Sequence, residues 1–146
     1  MSAEEVAGEM KKKFPEADVR IPRASRLTAS VKKEVLLDVC SFLKDAGFDH
    51  LSSIAGVDRA ENFEVAYFLW SYEKKILVTL KTAVQKENPR IQSVIKIWEG
   101  ANWHEREAYD MFGIVFEGHP DLRRLLMPED FVGHPLRKDF KLPEVE

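Results

Sequence analysis

Two runs of β-forming residues, Glu64–Trp70 and Ile76–Thr82, are separated only by Ser71-Tyr72-Glu73-Lys74-Lys75. That arrangement predicts a β-hairpin. His50–Val57 reads as a strand before it, with Asp58-Arg59-Ala60-Glu61-Asn62 as the intervening turn. Ser93–Trp98 reads as another strand, and Ala17–Arg23 as a short one ended at Pro22. Such a sheet needs a cover for its apolar face, and two amphipathic helices supply it. In the first, Ser2 and Glu5 have capping-box spacing, and Val6, Met10 and Phe14 share a stripe before Pro15. Glu4 and Glu5 at its start and Lys11-Lys12-Lys13 at its end suit the helix dipole. The second runs from Val31 to Ala46, with Val31, Val35, Val39 and Leu43 on one stripe and Gly47 at its exit. The pattern predicts an α+β fold of two layers, a mixed or antiparallel sheet with two amphipathic helices, over residues 1–98. An extended C-terminal segment with one short helix, residues 99–146, follows.

The composition changes after Trp98. Residues 99–146 hold three of the four His, four of the seven Gly, four of the seven Pro, 11 acidic and 6 basic residues. Asn102 as N-cap, Glu105 three positions on and Gly113 at the exit predict the short helix. Gly118-His119-Pro120 and Gly133-His134-Pro135 then punctuate the chain. Yet Met111, Phe112, Phe116, Leu122, Leu125, Leu126, Met127, Phe131, Leu136 and Phe140 are all apolar, which a disordered tail would not be. They cover the sheet domain or lie on another protein.

Several function classes are excluded early. A chain of 146 residues buries a core without staples, and its single cysteine, Cys40, cannot build a disulfide framework or a multi-cysteine metal site. Cys40 sits in an apolar helix stripe and reads as a small buried hydrophobe. A net charge of −3 gives no reason to expect nucleic acid. Met1-Ser2-Ala3-Glu4-Glu5 has no apolar run behind it, and no stretch approaches the roughly 20 apolar residues of a spanning helix. A soluble chain on the cytoplasmic side is expected. Few Asn and Gln among many Lys and Glu point toward a heat-adapted source.

The candidate chemistry of the tail is thin. His104-Glu105-Arg106-Glu107-Ala108 starts like the helical zinc motif HExxH, but Ala108 stands where the second ligand is needed. His119 and His134 match no standard metal spacing with His104. A metal-dependent hydrolase built on these His and acidic residues is the first alternative reading. Glu107 and Asp110, three apart, share a helix face, Glu105 lies on another, and Arg106 is placed to pair with Asp110. Charges arranged for pairing are the simpler account, because no nucleophile is legible. Arg123-Arg124 and Arg137-Lys138-Asp139 are short basic clusters among acids, and no Gly-rich phosphate loop exists. Protein carboxylates suit these guanidinium forks better than a nucleic acid does, so a small nucleic-acid-binding module is the weaker alternative. The mixture of aromatics, Met and Arg is that of an interaction subunit.

The tail carries three blocks: Glu105-Arg106-Glu107-Ala108-Tyr109-Asp110-Met111-Phe112-Gly113, Gly118-His119-Pro120-Asp121-Leu122-Arg123-Arg124, and Gly133-His134-Pro135-Leu136-Arg137-Lys138-Asp139-Phe140. In order and spacing they closely resemble the signature of the thirty-kilodalton subunit family of respiratory complex I. Leu51–Asp58 is similar to an upstream pattern of the same family. The family includes related subunits of energy-converting membrane-bound [NiFe] hydrogenases, formate hydrogenlyases, sulfur-reducing complexes and deazaflavin-oxidising archaeal complexes. The resemblance implies a structural subunit of the cytoplasmic hydrophilic arm of a membrane-bound complex, without catalytic residues, metal or cofactor of its own. Iron–sulfur clusters, and in some relatives nickel–iron, belong to the partners. Those partners are a hydrogenase-like large subunit, against which the tail lies, and a neighbouring iron–sulfur subunit. Contact with the membrane runs only through the complex. On this reading Glu105, Arg106, Glu107 and Asp110 fix the helix in a charge network. Arg123, Arg124, Arg137 and Lys138 grip neighbouring chains, with His119, His134 and Asp139 beside them, and Trp103, Phe112 and Phe116 supply apolar contact.

Overall fold

The computed structural model describes residues 2–124, 126, 127 and 133–138. The elements run α1 (Ala3–Lys13), β1 (Asp18–Arg23), β2 (Arg26–Ser30), a short 3-10 turn (Lys33–Val35), α2 (Leu36–Asp45), β3 (His50–Asp58), β4 (Asn62–Ser71), β5 (Ile76–Gln85), β6 (Arg90–Gln92), α3 (Ala101–Phe112) and β7 (Val115–Glu117). Strands β1 to β5 form one sheet in the order β1-β2-β5-β4-β3. Only β2 and β5 run parallel within it. The hairpin is in register along its length, from Asn62 opposite Gln85 to Ser71 opposite Ile76. Short parallel strands β6 and β7 make a second sheet.

Alternation along β5 shows which face is covered. Ile76, Val78, Leu80, Thr82 and Val84 are buried, and the residues between them are half-buried or exposed. The three helices contribute Val6, Met10, Leu36, Val39, Cys40, Leu43, Ala101, Ala108 and Phe112 to the one core beneath. The fold is α+β with an open mixed sheet. Ser2 caps α1 through the Glu5 amide as its spacing predicts. Gly113 ends α3 in the left-handed region at φ 77° and donates its N–H to the Tyr109 carbonyl.

Four local expectations change. Residues 93–98 are not a strand: Ser93 and Val94 are tied to Glu105, and the Ile97 and Trp98 amides close a turn on the Val94 carbonyl. The strand lies just before, at Arg90–Gln92. β2 has one large apolar residue, Leu27, and so left little pattern to read. The second helix starts later than Val31, after the 3-10 turn. α3 begins one residue before Asn102, with Gly100 at the cap and no side chain bonded there.

The segment from Ala101 to Phe116 is built into the domain rather than appended to it. α3 packs on β3, and Ala108, Phe112, Ile114 and Phe116 are buried with the sheet residues. Each fully buried Phe or Ile contributes about 1.5–3 kcal/mol, enough to fix the helix on the sheet. Gly56 of β3 makes the contact close, since a Cβ there would stand 2.7 Å from the Phe112 ring.

Candidate partner interface

Glu105 faces inward and is fully buried. Its carboxylate accepts a 2.5 Å bond from the Ser93 hydroxyl and a 2.9 Å bond from the Val94 amide. Burial pushes its pKa up to about 7, against the lowering effect of those two donors. Its near neighbours in the core are the Cys40 thiol and the Tyr67 hydroxyl, both raised by burial. Glu105 therefore fixes the 93–94 turn to α3 and is no part of the exposed surface.

The C-terminal end of α3 is the centre of a second network. A helix leaves its last carbonyls without partners, and its negative end attracts cations. Here the tail supplies the donors. Arg124 Nη1 reaches the Asp110 carbonyl at 3.2 Å, and His134 Nδ1 donates to the same oxygen at 3.0 Å. The Leu136 amide donates to Met111 and Arg137 Nε to Phe112, at 3.0 and 2.6 Å. The buried Asp110 carboxylate pairs with Arg124 at 2.7 Å and accepts the Leu126 and Met127 amides at 2.6 and 2.8 Å. Arg124 Nη2 continues to the Gly133 carbonyl at 2.7 Å. Burial holds the His134 imidazole below its usual pKa, and the Arg137 and Arg124 cations act in the same direction. Gly113 lies beneath this cover, where a Cβ would meet Arg137 and His134 at 2.7 Å. At the far side, the Lys138 amide donates to Asp58 at the end of β3, 2.7 Å away, and Lys86 pairs with the same carboxylate. Both contacts hold the Asp58 carboxyl below the usual range, the Lys138 amide most of all.

These bonds reassign several residues. Arg106 does not pair with Asp110; it donates to the Arg123 and Arg124 carbonyls at 3.3 Å and stacks over Trp103. Glu107 and Asp110 do not share an environment, since Glu107 is exposed and Asp110 is fully buried. Arg124 and Arg137 hold their own helix. Arg123 pairs with Asp121 at 3.0 Å at the surface, and the Lys138 side chain is exposed. Phe112 and Phe116 are buried in the core, and Trp103 is exposed. His119 bonds the Asn102 carbonyl at the start of α3, whereas His134 bonds Asp110 near its end, so the two do not converge. Among the described residues no group of three or more His, Cys, Asp and Glu is placed to hold a metal. Asp139, with Leu125, Phe131 and Phe140, lies outside the described residues. Sequence reasoning gave no role to Asp58 or Ser93. Asp58 could have been noticed as an acid closing an apolar strand.

What remains exposed is a candidate surface. Trp103, Leu126 and Leu136 are the large apolar side chains of the described tail left in solvent, at 55%, 61% and 55% exposure. Between β3 and α3 runs a groove of about 340 Å3, lined among others by Ser53, Gly56, His104, Glu107, Met111 and Leu136.

Residues 29–146 match the family described as respiratory-chain NADH dehydrogenase, 30 Kd subunit. The chain belongs to this family. Among members of the thirty-kilodalton family, an NADH-quinone oxidoreductase subunit from Roseiflexus sp. is 48% identical over 122 residues, covering 80% of this chain and 70% of that protein. An F(420)H(2) dehydrogenase subunit from Methanosarcina mazei is 38% identical over 147 residues, 97% and 93% of the two chains. The structure of a trypsin-resistant Nqo5 fragment superposes with a TM-score of 0.71 at 34% identity, over 82% of this chain and 98% of that one. The structure of an archaeal membrane-bound sulfane sulfur reductase contains a chain that superposes with a TM-score of 0.87 at 27% identity, over 95% and 85%. Among the described residues, no helix is long and apolar enough to cross a membrane.

Proposed function

We infer that this thirty-kilodalton-type chain is a structural subunit in the peripheral arm of a membrane-bound, energy-converting oxidoreductase. Its place is at the cytoplasmic face, against a hydrogenase-like large subunit and a neighbouring iron–sulfur subunit that hold the redox centres. The observation that carries this reading is the division of labour in the tail. The signature residues Glu105, Asp110, Arg124, His134 and Arg137 bind their own chain's backbone or core, and Trp103, Leu126, Leu136 and the β3–α3 groove are left as apolar surface. A catalytic site would do the reverse and converge polar groups on a cavity. The relatives' names support it too, for they cite a quinone, F420 and sulfane sulfur while the subunit stays alike. A shared fold under different electron carriers suits a scaffold better than a substrate site.

Affinity purification of the tagged chain from detergent-solubilised native membranes tests this. Elution with a hydrogenase-like large subunit supports it. Elution of the chain alone overturns it.

A further inference from the structure

The two edges of the five-stranded sheet differ. β1 carries Pro22 and the charges of Asp18, Arg20 and Arg23, and its register with β2 shifts between Arg20 and Arg23. Proline, charge and irregularity protect an edge from further pairing. β3 is nine residues long; its register with β4 also shifts, between Leu51 and Ser53, but from Ser53 to Val57 the pairing is continuous and the residues are only Ser, Ile, Ala, Gly and Val. Among the described residues, no backbone N–H or carbonyl of Ser52–Val57 bonds outside the ladder with β4. In an antiparallel edge strand, alternate residues aim both groups away from the sheet. The groove beside α3 opens along this edge, with Ile54, Ala55, Met111 and Leu136 in its lining. Glu107 also lines it and has no ion pair or hydrogen bond among the described residues.

We propose that the β3 edge from Ser53 to Val57 is taken by an extended segment of a neighbouring subunit, added as a sixth strand, with an apolar side chain in the groove and a Lys or Arg opposite Glu107. This rests on the subunit reading above. The chemistry selects the occupant. Outward backbone groups need an extended chain, because a helix has already satisfied its own. The apolar lining needs every second side chain of that strand to be apolar. A Lys or Arg facing the exposed Glu107 carboxylate steers and orders the encounter.

The test uses the complex purified from membranes and the free full-length chain. Amides within Ser52–Val57 are expected to exchange about tenfold or more slowly in the complex. Ser53→Cys carrying a short photo-crosslinker, selective because Cys40 is buried, should join a different subunit, and Glu107→Lys should reduce that yield. Equal exchange in both forms overturns the proposal whatever the crosslink. So does a crosslink to residues 139–146 of this chain or to a second copy of it. Failure to isolate the chain in a complex defeats the subunit reading itself. A chain that comes out in the complex with unprotected β3 amides defeats only the added strand.

Discussion

Glu105→Gln separates the charge of the buried carboxyl from its hydrogen bonds. The pKa of Glu105 lies at about 7 in the fold, against an ordinary 4.5. Between those values the folded chain holds a proton that the unfolded chain has lost. Stability is therefore full below the unfolded pKa and falls as pH rises through the folded one. A shift of this size corresponds to about 3 kcal/mol, at about 1.4 kcal/mol per pH unit. Glutamine is neutral throughout and still offers an oxygen to the Val94 amide. Chemical denaturation at pH 5 and pH 8 measures the difference. The wild-type chain should lose about 2.5 kcal/mol across that range relative to Glu105→Gln, since pH 5 already lies above the unfolded pKa, and at pH 8 the variant should be the more stable. Comparison with the variant removes other titrations, including that of Asp58, whose lowered pKa acts with the opposite sign. Parallel profiles for the two proteins would refute the assignment of a desolvated carboxyl. This position also means that Glu105→Ala would damage the fold itself, not assembly alone.

Three further outcomes follow from the same geometry. Gly56→Ala should cost about 1–3 kcal/mol in thermal unfolding, because the Cβ must displace the Phe112 ring from a packed core. Asp110→Ala should cost about 3–5 kcal/mol by leaving Arg124 without its carboxylate, and limited proteolysis should then cut between residues 118 and 138. Lowering the pH should weaken the Asp58 hold on Lys138, since its carboxyl is kept below the usual range only while ionised in place. The protection factor of the Lys138 amide, corrected for the intrinsic pH dependence of exchange, should fall in acid, and Asp58→Asn should remove that fall.

The legible parts of this fold are those with local pattern. The hairpin, the capped α1 and the Gly113 exit of α3 each announce themselves within a few residues. β2 does not, because Arg26-Leu27-Thr28-Ala29-Ser30 is held by parallel pairing to β5 and not by its own alternation. Val94, Ile97 and Trp98 have strand-like composition, yet the carboxylate of Glu105 turns the chain there. Within the candidate interface, the important residues are visible in the sequence but their direction is not. Asp110 and Arg124 are 14 positions apart, and Lys138 meets Asp58 across 80. Such closures depend on the finished sheet, so no window of sequence carries them. The spacing of Arg106 and Asp110 suits a local pair, and the tail arginine displaces it by adding a second carbonyl acceptor to the same guanidinium.

In the proposed role this chain contributes structure, not chemistry, to its complex. Membranes carrying Arg137→Ala test it when assembled complex and turnover are measured together. Less assembled complex is expected, with turnover per assembled complex unchanged. A complex that assembles fully and is catalytically dead would contradict the claim.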